Sequence, residues 1–116
     1  MINIYDEANN LAASLKQTDE YKEYMRLRDI AMEDGTNKAL LDEYKRLQFR
    51  MQAKMASGER PPEEELQRLQ QIGSLLQFNQ DASAYLMAEF RFQKMIADIY
   101  KIIGEAAGID LDALQQ

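Results

Sequence analysis

The 116-residue chain contains no histidine, no cysteine and no tryptophan. Histidine is the usual general base near neutral pH and the commonest metal ligand, and cysteine is a strong native nucleophile. The missing residue types therefore argue against metal-dependent or nucleophilic catalysis, and we expect no cofactor and no bound metal. Without cysteine there is no disulfide framework, which fits a cytoplasmic protein.

Residues that break helices are also scarce, since the chain has only two prolines and five glycines. Hydrophobic residues make up 46% of the chain and charged residues 29%, which is sufficient for a core and argues against disorder. Helix-favouring residues dominate the remainder. We predict a single all-α domain, an elongated antiparallel helical hairpin or bundle of about five helices with a long C-terminal core helix.

The chain has no long apolar run and no excess of positive charge. The formal charge of −6 opposes nucleic-acid binding by the chain as a whole. No stretch approaches the roughly 20 apolar residues that a membrane span needs. The first ten residues, MINIYDEANN, lack the basic and apolar regions of a signal peptide. We therefore expect a cytoplasmic protein that does not bind membranes.

Residues 2–34 are predicted to form two helices. The first covers residues 2–16, and Thr18 is the predicted N-cap of the second. The second helix is predicted to end at Asp34 and Gly35. The predicted inward positions are Ile4, Ala8, Leu11 and Leu15 in the first helix, and Tyr21, Tyr24, Met25, Ala31 and Met32 in the second.

Residues 36–78 are predicted to form an antiparallel helical hairpin. Thr36 or Asn37 is predicted to begin its first helix and Gly58 to end it, while Pro61 and Pro62 begin the next. The short connection makes the two helices fold back on each other. The predicted stripes are Leu40, Tyr44, Leu47, Met51 and Met55, then Leu66, Leu69, Ile72, Gly73 and Leu76.

The fifth helix is predicted to form the core over residues 79–107, between an Asn79 cap and a stop at Gly108. Its charged side chains occupy a narrow arc, whereas apolar side chains occupy more than half of the circumference. A helix with so wide an apolar face must pack against other helices on more than one side. The tail, residues 108–116, is predicted to fray or to dock through Ile109, Leu111 and Leu114. The apolar arc contains Tyr85, Ala88, Phe92, Met95, Ile96, Ile99, Ile102 and Ile103.

Three segments resemble the YheA/YmcA/YlbF family of small bacterial helical proteins, and especially its YheA-like branch. They are IYDEANNLAASLKQTDEYKEY (4–24), ALLDEYKRLQ (39–48) and DIYKIIGEAAG (98–108). The resemblance implies an elongated helical protein that forms homo-oligomers and has no established catalytic activity. Some relatives act in a complex that influences competence, sporulation, biofilm formation and mRNA processing by RNase Y. Those relatives carry iron–sulfur clusters on cysteines, so neither the cluster nor membership of that complex transfers to a chain without cysteine.

No group of side chains forms a recognisable catalytic motif. The consecutive acids Glu63, Glu64 and Glu65 point in different directions around a helix and suit its first turn. Glu89 lies within the apolar arc, where we expect it to pair with an Arg or Lys. The serines lie in no nucleophile motif, and the glycines lack phosphate-binding spacing. We therefore predict no catalytic, cofactor-binding or metal-binding residues, and a protein that is not an enzyme.

Arg46, Arg50 and Lys54 recur every fourth residue and form a basic ridge beside the apolar stripe of the third helix. The ridge has two interpretations. It is either a solvated flank that pairs with Glu43 or with acids of the fourth helix, which the acidic total favours, or a contact for RNA phosphates. The second interpretation defines the alternative function, a weak RNA-associated regulatory module.

Phe49 lies opposite the apolar stripe of its own helix, and the fifth helix needs additional cover. A subunit interface explains both features, so we predict a homodimer or higher oligomer, with another protein as a further partner. The function that best fits is a non-enzymatic adaptor or regulatory protein of unknown pathway. The predicted interface residues are Phe49, Ala53, Tyr85, Phe92, Ile96, Ile99 and Ile103.

Overall fold

The computed structural model describes residues 1–111, and it confirms the all-α fold class. Helix α1 is shorter at both ends than the predicted range of 2–16, while α4 and α5 begin and end within a residue or two of the predicted positions. The five helices are α1 (Ile4–Leu15), α2 (Asp19–Glu33), α3 (Gly35–Ala56), α4 (Glu63–Gln77) and α5 (Gln80–Ala107).

Side-chain caps fix the start of most helices. The Asn3 side chain accepts hydrogen bonds from the first turn of α1, and the Thr18 hydroxyl accepts one from the Tyr21 amide. Asn79 caps α5 through the Ala82 amide, and Gly108 ends that helix in the left-handed conformation that glycine adopts without a steric penalty. The caps predicted at Thr18 and Asn79 and the stop at Gly108 are thereby confirmed.

The prediction that Thr36 or Asn37 begins α3 is wrong, because Asp34 is the N-cap. Its carboxylate accepts hydrogen bonds from the Thr36 and Asn37 amides at 2.8 and 3.1 Å. Gly35 is the first residue of α3 and does not terminate α2 in the left-handed conformation. Asp34 thus ends one helix and begins the next, since a carboxylate at an N-cap satisfies two otherwise unpaired amides.

The helices pack in two antiparallel pairs. Helix α2 lies along the N-terminal half of α5, with Tyr21 against Phe92 and Tyr24 against Tyr85. Helices α3 and α4 form the predicted hairpin. The core lies where the pairs meet, and its buried apolar residues are Ala31, Leu41, Leu47, Ile72, Leu76, Ala82, Tyr85 and Ala88.

The buried face of α3 differs from the predicted stripe. Leu41, which the stripe omitted, is fully buried, whereas Met55 is exposed. The N-terminal part of α3 packs against both α2 and α4, so its buried arc is wider than one partner would require. Asn37 is buried in the same region, and its amide exchanges two hydrogen bonds with that of Asn79 at 3.0 and 3.2 Å.

The molecule is long and thin, with extents of 53 × 37 × 16 Å and a radius of gyration of 17.2 Å. A compact chain of this length would have a radius of gyration of about 13 Å. The accessible surface of 8903 Å² also exceeds the roughly 6,500 Å² expected for a compact 13.4 kDa monomer. Much apolar surface therefore remains uncovered by the chain itself.

Candidate interaction surfaces

A polar triad links α3 to α5 beside the core. Lys45 of α3 donates hydrogen bonds to the Tyr85 hydroxyl and the Glu89 carboxylate, and Tyr85 donates to Glu89 at 3.0 Å. The Lys45 ammonium also lies 4.7 Å from the centre of the Tyr85 ring. This confirms that Glu89 pairs with a basic residue. The triad satisfies its own donors and acceptors and has a structural role.

Burial and hydrogen bonding shift two pKa values in the triad. Burial raises the pKa of Tyr85 to about 12, an effect that the hydrogen bond from Lys45 only partly offsets. Partial burial lowers the pKa of Lys45, but the hydrogen bonds to Glu89 and Tyr85 outweigh it and leave that pKa above its ordinary value. At neutral pH Tyr85 is therefore protonated and Lys45 is charged.

Tyr85 cannot belong to a subunit surface, which corrects its predicted place in the interface. Its side chain is only 1% exposed, and its ring stacks on Tyr24 at 5.8 Å. Phe92, another predicted interface residue, is half-buried because it contacts Tyr21 and Tyr24 with ring centres 5.5 and 5.4 Å apart. These four rings hold α2 against α5.

Beyond Phe92, α5 extends past the start of α2 and loses its cover. We call residues 96–107 the α5 arm. Ile96 and Ile99 are half-buried, whereas Ile102 and Ile103 are 66% and 46% exposed. The prediction that Ile96, Ile99 and Ile103 are core residues is therefore wrong within residues 1–111, where the helices that pack closely on α5 are α2 and α4 and neither runs along the arm as α2 runs along the first half.

A groove of about 500 Å³ opens where the α5 arm begins. It is lined on one side by Tyr24 of α2 and on the other by side chains of α5, namely Glu89, Phe92, Gln93, Ile96, Ala97 and Tyr100. The groove is continuous with the uncovered isoleucines through Ile96, and together they form a mainly apolar strip whose polar members are Glu89 and Gln93.

Helix α1 has no buried residue, although its sequence is amphipathic. The stripe of Ile4, Ala8, Leu11 and Leu15, which we call the α1 stripe, lies on one face with spacings of four, three and four residues. Ile4 and Leu11 are exposed. Close helix packing within residues 1–111 involves α2, α3, α4 and α5, so α1 extends away from the core.

The tail folds back on the α5 arm beside Tyr100, which also lines the groove. Gly104 is buried, and a Cβ at this position would lie 2.7 Å from the Ile109 carbonyl oxygen and 3.5 Å from the Leu111 side chain. The Ile109 amide donates a hydrogen bond to the Gly104 carbonyl at 3.0 Å. Docking of the tail through Leu111 agrees with the sequence prediction, while Leu114 lies outside the described residues.

A second apolar surface, the corner patch, surrounds the connection between α4 and α5. Its exposed members are Leu75, Phe78, Met87 and Phe90, and Phe78 is 89% exposed. A groove of about 320 Å³ beside them is lined by Tyr44, Leu76 and Leu86, among others. Sequence analysis missed this patch because Phe78 lies in the connection, and Met87 and Phe90 lie on the charged side of α5, away from the predicted apolar arc.

The structure does not bring all the predicted interface residues together. Phe49 is 73% exposed and Ala53 is exposed, but both lie on α3. Ile96, Ile99 and Ile103 belong to the α5 arm. The predicted set therefore combines positions on two different helices with one residue, Tyr85, from the interior.

The basic ridge is partly neutralised by acids of neighbouring helices. Arg50 forms an ion pair with Glu65 of α4 at 2.6 Å. Glu43, beside Arg46, accepts two hydrogen bonds from Arg68 at 2.8 and 3.0 Å, and these hydrogen bonds lower the pKa of the Glu43 carboxyl. Arg46 is exposed and Lys54 is half-buried. The ridge thus pairs with an acid of α4 through Arg50, as the flank interpretation expects, whereas Glu43 pairs with Arg68 and not with the ridge.

Two classes of site are missing from the part of the chain that the structure describes. Residues 1–111 contain no group of three or more acidic side chains that could hold a metal ion. The same residues include no helix that is long and apolar enough to cross a membrane. The arm, the α1 stripe and the corner patch remain as the surfaces with a clear chemical character.

Exposed apolar helix faces on a narrow scaffold are typical of helical protein-interaction proteins. Residues 4–107 match the family described as "Control of competence regulator ComK, YlbF/YmcA", and the chain belongs to this family. A UPF0342 protein from Caldicellulosiruptor bescii is 34% identical over 106 residues, which cover 91% of this chain and 89% of the relative. A UPF0342 protein from Clostridium tetani is 33% identical and is matched over 95% of both chains.

Two solved structures share the fold. One is described as a protein of unknown function (DUF964) from Bacillus stearothermophilus, with a TM-score of 0.75 and 17% identity, covering 90% of this chain and 92% of that one. The other is Bacillus subtilis RicA in complex with RicF, with a TM-score of 0.61 and 19% identity, covering 90% and 93%. The resemblance to the family is thereby confirmed, while placement in the YheA-like branch stays a prediction.

Proposed function

We propose that this protein is a non-enzymatic regulatory adaptor that self-associates and binds other proteins through its apolar helix faces. The observation that carries the proposal is the uncovered apolar surface of α1 and the α5 arm. Isolated exposed hydrophobic residues are common on proteins, but contiguous apolar helix faces mark interaction sites. The family description, control of a competence regulator, supports a regulatory role.

The size of the uncovered surface supports self-association. The chain exposes about 2,400 Å² more than a compact monomer of its mass would expose. A standard protein interface removes only about 800 Å² from each partner. One interface therefore leaves the corner patch available for a different protein, and a RicA chain that shares this fold is described in complex with RicF.

Catalysis has little support in the geometry. In the most elaborate polar group, the Lys45–Tyr85–Glu89 triad, the side chains hydrogen-bond to one another, and Tyr85 is enclosed. Glu89 also lines the groove at the start of the α5 arm, where its neighbours are apolar and aromatic side chains and Gln93. A catalytic group must reach a substrate, whereas these side chains connect two helices. The triad therefore supports a structural scaffold that presents surfaces to partners.

Sedimentation equilibrium over a range of micromolar concentrations tests self-association. We expect a mass of at least twice 13.4 kDa, because burying the exposed isoleucines removes apolar area from water. A clean monomer throughout that range would contradict the self-association part of the proposal.

A further inference from the structure

We infer that a second copy of this chain covers the α5 arm by placing its α1 stripe along it. The contact is reciprocal, since each copy lays its α1 on the arm of the other, and we call this arrangement the exchange. This inference rests on the proposed self-association and names the two surfaces that meet. Both halves of the contact are present in one chain, and within residues 1–111 α1 buries no residue while Ile102 and Ile103 of the arm are exposed. Each copy would therefore contribute one α1 and one arm.

The apolar face of α5 continues from the covered half into the uncovered half. In the first half, Tyr85, Ala88 and Phe92 face α2. At 100° per residue, Ile96, Ile99 and Ile103 lie within the same arc. The arm thus presents the face that packs against a helix elsewhere in the same molecule, and its partner is expected to be another amphipathic helix.

Lengths fit this arrangement. At about 1.5 Å per residue, the 28 residues of α5 span about 42 Å and the 15 residues of α2 about 22 Å. The uncovered part of α5 is therefore about 20 Å long. Helix α1, with 12 residues, spans about 18 Å.

Local hydrogen bonds hold the turn between α1 and α2. The Gln17 amide donates to the Ser14 carbonyl, and the Thr18 hydroxyl donates to the Leu15 carbonyl at 2.7 Å. The same hydroxyl accepts from the Tyr21 amide and caps α2. In the conformation that these bonds stabilise, α1 buries no residue, so its apolar stripe is available to a second copy.

The arm is a better match for α1 than the corner patch is. The arm and its groove form a straight strip along one helix and the edge of α2, which suits a helix laid lengthwise. The corner patch surrounds a connection between two helices, with Phe78 outside either helix. A patch of that shape suits a different partner.

Matched charge substitutions test the exchange. We expect Leu11→Asp and Ile103→Asp each to weaken self-association at least about tenfold in sedimentation, because a carboxylate placed in an apolar contact has no partner. The controls Asn10→Asp and Lys101→Asp add a carboxylate on the opposite faces of the same helices and should leave the mass unchanged. Since Leu11 and Ile103 lie outside the core, circular dichroism should show that the variants remain folded.

Disulfide trapping identifies the contact directly, because the native chain has no cysteine. A Leu11→Cys chain is mixed with a mass-tagged Ile103→Cys or Ile99→Cys chain, the two choices covering parallel and antiparallel placement of α1. We expect a mixed disulfide from at least one pairing and none from the Asn10→Cys and Lys101→Cys control, since bridged Cα atoms lie within about 7 Å.

The outcomes separate the two proposals. A native oligomer whose mass is insensitive to Leu11→Asp, and which forms no mixed disulfide, would overturn the exchange while self-association stands. A native chain that is monomeric would overturn both. Loss of self-association in Leu11→Asp and Ile103→Asp together with a mixed disulfide would establish the exchange.

Discussion

At the scale of single residues, environment decides the role of each polar side chain. Glu89 occupies an apolar arc, and the sequence correctly predicted that a basic residue would pair with it. The involvement of Tyr85 was not predictable, because Lys45 and Tyr85 are 40 positions apart and meet only when α3 packs beside α5. Tyr85 was therefore assigned to a surface, although its hydroxyl belongs to the triad.

The raised pKa of Tyr85 has a measurable consequence. Because the folded-state value is about 12 and the ordinary value is 10.0, folding favours the protonated phenol. The contribution of this proton to stability is complete below pH 10 and is lost as pH rises through about 12. In a tyrosinate absorbance titration we expect Tyr85 to ionise in a late phase, well above the ordinary pKa of a phenol.

The variant Tyr85→Phe tests whether the late phase of this titration belongs to Tyr85. The variant should lose the late phase and keep the rest of the titration curve. The control Tyr5→Phe, which alters an exposed ring on α1, should leave the late phase unchanged. If Tyr85→Phe removed amplitude only near pH 10, the triad would not protect the phenol.

At the scale of helices, the sequence predicted the helix ends better than it predicted which helix faces are buried. Thr18, Asn79 and Gly108 act within a few residues of their own positions, so the sequence alone identifies them. The buried face of α3 depends on two neighbouring helices, and the prediction therefore missed Leu41 and included Met55. The exposed α5 arm was mistaken for core because periodicity shows that a face is apolar but does not show what covers it.

Gly104 gives a prediction about how the tail docks on α5. A Cβ there would lie 2.7 Å from the Ile109 carbonyl oxygen, and backbone must move to relieve that overlap. We expect Gly104→Ala to displace residues 109–111 and to speed hydrogen exchange of the Ile109 amide, which donates to the Gly104 carbonyl. The helical core should remain intact, because alanine is the better helix former by about 1 kcal/mol.

Gly73→Ala is the matched control, since Gly73 also lies within a helix. Its added Cβ would lie 3.8 Å from the Tyr44 ring, an ordinary contact distance. This variant should leave exchange at Ile109 unchanged and raise the stability of α4 through helix propensity. Equal hydrogen-exchange rates of the Ile109 amide in the native protein and in Gly104→Ala would show that docking of the tail does not require a glycine at position 104.

At the scale of the whole molecule, shape carries the functional argument. A thickness of 16 Å allows only one or two layers of helices, so few side chains can be enclosed. Composition predicted a helical protein, and the family resemblance implied an elongated one. Neither predicted which surfaces stay uncovered, because that depends on the different lengths of α2 and α5. The length mismatch produces the α5 arm, and the arm in turn favours an adaptor over an enzyme.

The charge distribution yields the last prediction, which concerns RNA. Arg50 is paired with Glu65, and the acidic Glu43 lies close to Arg46, so the negative potential around the ridge weakens its attraction for phosphates. The net charge of −6 also opposes approach to a polyanion. We expect no RNA binding tighter than the nonspecific range of roughly 10⁻⁴ to 10⁻⁶ M at physiological salt. Filter binding or fluorescence anisotropy across a salt series measures this.

A variant with Arg46, Arg50 and Lys54 all replaced by alanine distinguishes the two interpretations of the ridge. If the ridge is a flank of the hairpin, the variant should lose some stability, because Glu65 loses its partner, while any weak RNA binding stays nearly unchanged. If the ridge contacts phosphates, native binding should be sub-micromolar and strongly salt-dependent, and the salt slope should fall by up to about three in the variant. That second result would favour the RNA-associated module over the adaptor.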